Sequence, residues 1–178
     1  LRDPKLVMAL RNTVVMAGGA ATGTVVLCGL AAYVVIRTKY PGRRALELLT
    51  WLPWAIPGMV MALGVLWGYM TLPFTVSLYG TLWLLIMVRI TISLPVATRI
   101  ISSSVIQIHK ELEESSWTLG ASWGRTFVRI WIPLVMPALL AAWILAFTAS
   151  ARDLTSVIFI YSRNSQVLST VIWSYWQR

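Results

Sequence analysis

The sequence predicts an all-α, polytopic transmembrane helical bundle, and three observations carry that prediction. Hydrophobic residues fill 58% of the 178 positions and charged residues only 12%, with a mean hydropathy of +0.74. A soluble domain needs a charged shell that this composition does not supply. Several apolar runs reach the roughly 20 residues that a helix needs to cross a hydrocarbon core of about 30 Å. They are continuous rather than alternating, so helices fit and closed barrel strands do not. Finally, most of the 15 basic residues, set against 6 acids, gather at the ends of those runs. In a soluble chain a net charge of +9 points to nucleic acid. Placed as it is here, it is the positive-inside bias of a membrane protein, and no nucleic-acid partner is expected.

The first span is expected over residues 8–36. It is rich in small residues, Ala17-Gly18-Gly19-Ala20-Ala21 among them. Gly19 and Gly23 form a small-xxx-small pair, which tight packing inside a bundle explains without a dimer. Cys28 is the only cysteine, sits mid-run and reads as a packing residue. The run is too long for a cleavable leader and lacks a cleavage site. Arg37, Lys39, Arg43 and Arg44 then fall in one short loop, which should stay in the cytoplasm. The first span would thus run from outside to inside.

A second span over 46–70 is interrupted at Leu52-Pro53-Trp54-Ala55-Ile56-Pro57-Gly58. Pro53 and Pro57 each remove a donor and crowd the preceding turn, so with Gly58 they should kink the helix. The uncharged loop 71–78 is expected outside, with Trp67, Tyr69, Tyr79 and Trp83 as an aromatic belt. The third span, over 80–101, carries Arg89 near its middle and Pro95, a further kink, near its inner end. Residues 102–129 are polar, carry Lys110, Arg125 and Arg129, and read as cytoplasmic. The fourth span is expected over 130–150, or as far as residue 160. In the tail, 161–178, apolar pairs recur at helical spacing, which predicts a short amphipathic helix at the outer interface. The whole reads as a partial transmembrane domain, residues 1–178, belonging to a longer polypeptide.

The loop 102–129 is the most informative part. Glu111, Glu113 and Glu114 suit the positive N-terminal end of a short helix. Gly120 is placed to stop it, since glycine takes the left-handed C′ position cheaply. Ser115 and Ser116 are small enough for close approach, and Leu112, Ser116 and Leu119 share one side. Trp117 adds an anchor of the kind that dominates interfaces. These features predict a cytoplasmic helix suited to docking in another protein's groove. The plainer alternative is a polar loop that happens to be helical.

Glu114, two small residues, three spacers, Gly120, nine spacers and then Ile130-x-Ile132-Pro133 resembles the EAA loop of binding-protein-dependent ABC-importer permeases. By position, Glu114 matches the motif's acid, Gly120 its glycine, and Ile130 and Pro133 its closing residues. Ser115 and Ser116 stand where alanines are usual, and Ile132 where leucine is, each swap keeping size. Arg11-Asn12-Thr13, Leu52-Pro53-x3-Pro57-Gly58, Ala151–Ser156 and Val167–Trp173 are similar to further stretches of such permeases, the last two most of all in the ferric-iron branch. The resemblance implies a type I importer permease fold in the bacterial inner membrane. The loop would be the coupling helix that enters a cleft of a separate ATPase subunit, where ATP and Mg bind. It also implies a periplasmic or lipoprotein solute-binding protein and a second permease half or subunit. Ferric iron is the first expectation for solute; a phosphonate, an inorganic anion or a polyamine are the alternatives.

Arg89 carries charge to mid-bilayer depth at a cost of about 2.5–3.5 kcal/mol on insertion scales, so it should face protein or water. Two roles compete. It could line the translocation path with Ser93, or be tied to carbonyls freed by Pro95 or by the break near Pro57. Arg152 and Asp153 could be gate residues or a surface ion pair. His109 is the only histidine and should be solvated, so a metal site within the chain is not expected. No Gly-rich phosphate loop and no nucleophile–base pair stand out, which argues against ATP binding by this chain and against an enzyme. The rival class is a secondary transporter or channel using the 53–58 break as a half-helix site. An intramembrane hydrolase is a distant third.

Overall fold

The computed structural model describes residues 4–71 and 80–177. The expected outer loop 71–78 and Tyr79 of the aromatic belt lie outside the described residues, apart from Thr71. Helix α1 (Pro4–Arg37) is the axis of the bundle and packs on both α4 (Leu82–Gln107) and α7 (Ile132–Ala151). At 1.5 Å per residue, 34 residues make a rod of about 50 Å. Its buried face is Ala9, Met16, Ala17, Ala20, Ala21, Thr24 and Cys28, a seam of mostly small side chains that brings backbones close. A methyl added at Gly23 would come 2.5 Å from the Ile90 side chain on α4, so the small-xxx-small pair serves contact within the chain.

The second span departs most from expectation. Instead of one kinked helix there are two, α2 (Arg43–Trp51) and α3 (Gly58–Thr71), bent by 110° across a 3₁₀ turn, Leu52–Ala55. The cause is local. Pro53 starts the 3₁₀ turn, and Ile56 is held extended (φ −110°, ψ 120°), as a residue before proline must be. Helix α2 turns Leu48 and Leu49 outward and buries Thr50.

Helix α4 runs unbroken through Pro95 and on to Gln107, six residues past the expected end. Its serines remain helical, and the Ser103 hydroxyl donates to the Ile100 carbonyl one turn back (2.8 Å). A short helix α5 (Glu111–Thr118) follows. Then α6 (Trp123–Thr126), a π-helical turn (Phe127–Trp131) and α7 form one rod, Trp123–Ala151, which starts seven residues earlier than expected. It ends at Ala151 and does not continue to residue 160. Among the described residues, three helices are long and apolar enough to cross a membrane, and the bent α2–α3 pair could make a fourth.

The tail helix forms, and the segment leading to it is packed into the bundle. Val157, Ile160 and Val167 are core residues, packed with Met16, Leu84 and Val88. Helix α8 (Leu168–Trp176) follows them. The Asn12 amide of α1 donates to the carbonyls of Gln166 (2.9 Å) and Asn164 (3.3 Å), and the Thr13 hydroxyl accepts from the Leu168 N–H (2.8 Å). A second core cluster, Cys28, Ala97, Ile101, Val105, Trp131 and Val135, fills the opposite end, near Arg37.

Candidate functional site

The predicted short helix forms, and its stop signal is fully resolved. Gly120 has φ +81°. Its N–H donates to the Trp117 carbonyl (2.9 Å) and the Ala121 N–H to the Ser116 carbonyl (3.1 Å). These are the paired bonds of a Schellman motif, which needs a left-handed C′ residue. Open space surrounds the Gly120 Cα, so backbone angle alone selects glycine there.

The helix has one buried edge and one open edge. Glu113 and Ser116 face inward, one turn apart, and the Ser116 and Thr126 hydroxyls are bonded at 2.9 Å. Glu111, Glu114 and Ser115 are exposed, while Leu112 and Trp117 are each 45% exposed and Leu119 is 87% exposed. The expected Leu112–Ser116–Leu119 face is therefore split. The small residue meets the chain's own next helix, and the two leucines stay outside.

Glu113, which the sequence did not single out beyond its negative charge, meets Arg37. The Arg37 Nε lies 3.2 Å from Glu113 Oε1, with both side chains almost fully buried. The two atoms are at ion-pair distance but not aligned for a hydrogen bond. The directional bonds of Arg37 go elsewhere: Nη2 donates to the carbonyls of Ile108 (2.6 Å) and Val105 (3.1 Å) at the end of α4. Of the four loop cations, Arg37 is thus a structural cation and not only a topology signal. Arg43 donates to the Thr38 carbonyl (3.1 Å), closing the loop on itself.

Beyond Gly120, Trp123, Phe127 and Trp131 stack one turn apart, with ring centroids 5.2 and 4.8 Å apart. Tyr33 of α1 stands edge-on to all three, and the Trp123 indole N–H donates to its hydroxyl (2.8 Å). Offset and edge-on rings of this kind add to burial by about 0.5–1.5 kcal/mol per pair. The ladder coincides with the π turn. Pro133 has no N–H and its ring crowds the carbonyl four residues back, and the wide turn ahead of it accommodates both. Ile130 lies half-buried within that turn and Pro133 is exposed in the first turn of α7. A spacing of i, i+4, i+8 in three aromatics was visible in the sequence; Tyr33 as their common partner was not.

At the other end, Arg89 is 5% exposed. Its Nη1 lies 3.2 Å from Asp153 Oδ2, and its Nε donates to the Ser150 hydroxyl at 3.2 Å. Neither Pro95 nor the Pro57 break supplies its partners. A carboxylate and a hydroxyl from the end of α7 do. Asp153 is therefore no surface partner of its neighbour Arg152. Its carboxylate also accepts from the N–H and hydroxyl of Ser156, while its carbonyl accepts from the Ser169 hydroxyl (2.9 Å). Arg89, Ser93, Thr148 and Arg152 line a cavity of about 300 Å³ between α4 and α7. Three of the four residues expected along a path are thus brought to one cavity, and the fourth is bonded to the first. The cavity offers guanidinium and hydroxyl donors, and its nearest carboxylate is occupied by Arg89.

His109 is exposed, in the link between α4 and α5. Among the described residues, no three His, Cys, Asp or Glu side chains gather where a metal ion could be held.

Residues 14–178 match the family model described as the binding-protein-dependent transport system inner membrane component. The chain is 32% identical over 160 residues to the putative ferric transport system permease protein of Haemophilus influenzae, an alignment covering 89% of this chain and 25% of that protein. It is 27% identical over 177 residues to the putrescine transport system permease protein of Escherichia coli, covering 98% of this chain and 63% of the relative. It is also 28% identical over 166 residues to the probable sulfate transport system permease protein of Helicosporidium, covering 89% and 62%. The chain spans between a quarter and just under two thirds of these relatives.

Proposed function

Because the chain belongs to the binding-protein-dependent transport system inner membrane component family, we propose that it forms the membrane-spanning path of an ATP-driven importer and couples that path to a separate ATPase subunit. The observation that carries this reading is the helix Glu111–Thr118, joined to two membrane-length rods, buried on Glu113 and Ser116 and open on Leu112, Trp117 and Leu119. Glu111, Glu114, Ser115, Trp117 and Gly120 make the docking end; Ile130 and Pro133 lead from it into α7. ATP and Mg bind the partner. A solute-binding protein delivers cargo to the far end, where Arg89, Asp153 and the tail lie. A second permease half or subunit completes the path.

Two measurements test it. An ATPase subunit should co-purify with the chain, and Glu114→Ala or Gly120→Pro should leave insertion intact while abolishing transport-linked hydrolysis. Normal substrate-stimulated hydrolysis in both variants overturns the coupling role. Topology follows from the charge asymmetry: the Arg37 loop and residues 102–129 lie inside. In a Cys28-free background, a cysteine at Arg163 should label from outside and one at Ser122 should not. Ser165, an obvious choice from sequence, is 1% exposed and unsuited as a reporter.

Ferric iron is the proposed cargo, supported by the similarity to the ferric transport permease. The chain offers few hard oxygen ligands, so the binding protein would hold the metal and the path would hold it only in passing. The cavity beside Arg89 and Arg152 favours a second reading, a small oxyanion. Uptake by reconstituted vesicles separates the two: iron carried in Arg89→Ala, with no sulfate or phosphonate carried, supports iron.

A further inference from the structure

Helix α5 has eight residues, too few to hold itself in water or at a membrane surface. What fixes it is tertiary. On one flank, Arg37 reaches Glu113 (3.2 Å) and the α4 carbonyls of Val105 and Ile108. Those carbonyls belong to the negative end of α4, where a cation is favoured. Beyond α5, Tyr33, one turn before Arg37, receives the indole N–H of Trp123 on α6 and holds the aromatic ladder. The last turns of α1 therefore hold α5 directly through Arg37, which joins α1, α4 and α5, and hold the helix that follows α5 through Tyr33.

Resting on the importer reading above, we infer that Arg37 and Glu113 form a strut that makes the docking helix move as one body with the ends of α1 and α4. Displacement of α5 by an ATPase is then delivered to two of the three helices that carry the packed core. On α4 it reaches Arg89, 18 residues or about 27 Å from Gln107. Arg37 is a positioning residue here.

The test uses the whole transporter with its ATPase in lipid nanodiscs, with Cys28→Ser and spin labels at Thr118→Cys and Val26→Cys, both exposed positions. In the otherwise unsubstituted chain the label distance should be the same in the nucleotide-free and ADP–vanadate-trapped states. Glu113→Gln, and separately the apolar pair Arg37→Met with Glu113→Leu, should keep the ATPase bound. In both, the distance should shift or broaden on trapping. Stimulation of hydrolysis by the binding protein, purified with the solute it carries, should fall about tenfold, within the usual range of coupling between sites. The apolar pair guards against simple misfolding, because such replacements of a buried ion pair are often neutral in stability. A wild-type distance and undiminished stimulation in both variants overturn the strut. Absence of any bound ATPase in the unsubstituted chain overturns the importer reading itself.

Discussion

Arg37 and Arg89 are both buried and both stand 3.2 Å from a carboxylate, yet they do different work. Arg37 ends α1 and ties three elements together, with two backbone carbonyls as its directional partners. Arg89 lies within α4 and ties it to the end of α7, beside a cavity with Ser93 and Arg152. The first arrangement is a joint. The second is a charge held next to a space, where water or solute can take over part of its solvation. A buried cation is thus weak information by itself; what its remaining donors touch decides its role.

Substitutions can break or sharpen this contrast. Arg37→Ala should have the largest effect, since it strands the Glu113 carboxylate and takes away the side-chain donor of the Ile108 carbonyl; loss of one partner of a buried pair costs about 3–5 kcal/mol. Thermal unfolding in detergent reads it. Arg89→Ala should cost less, about 1–3 kcal/mol, because the adjoining cavity lets water reach Asp153, whose side chain is 16% exposed. A larger loss for Arg89 than for Arg37 would erase the distinction drawn between joint and cavity. Gly120→Ala should cost roughly 1 kcal/mol from the left-handed backbone alone. Its effect should concentrate in α5, seen as faster hydrogen exchange there. Glu114→Ala should be the smallest in stability, leaving the unfolding temperature unchanged because the side chain is exposed. If it also leaves ATP coupling unchanged, the docking role passes from Glu114 to the apolar residues Leu112, Trp117 and Leu119.

The contrast also shows how unevenly the site was legible. The Gly120 stop was readable because a left-handed C′ residue leaves a local signature. The helix before it was readable from its acids. Arg37 was visible only as one of four loop cations, because its partners stand 68 to 76 positions away along the chain. Arg89 was recognised as needing a partner, but the nearby prolines suggested the wrong one. Asp153 was in view as a neighbour of Arg152, and sequence adjacency hid its true contact.

The sequence by itself determined that the chain is helical and membrane-embedded, and that a short acidic helix stops at Gly120. Those properties come from composition, from runs of apolar residues and from backbone preferences, all of which act over a few neighbouring positions. Only the tertiary structure decided that Asn12 and Thr13 pin the tail. The same holds for Tyr33 gathering three aromatic rings and for each buried arginine choosing its carboxylate. These outcomes rest on contacts between distant segments, where a buried charge or polar group must find whatever partner the packed helices bring within about 3 Å.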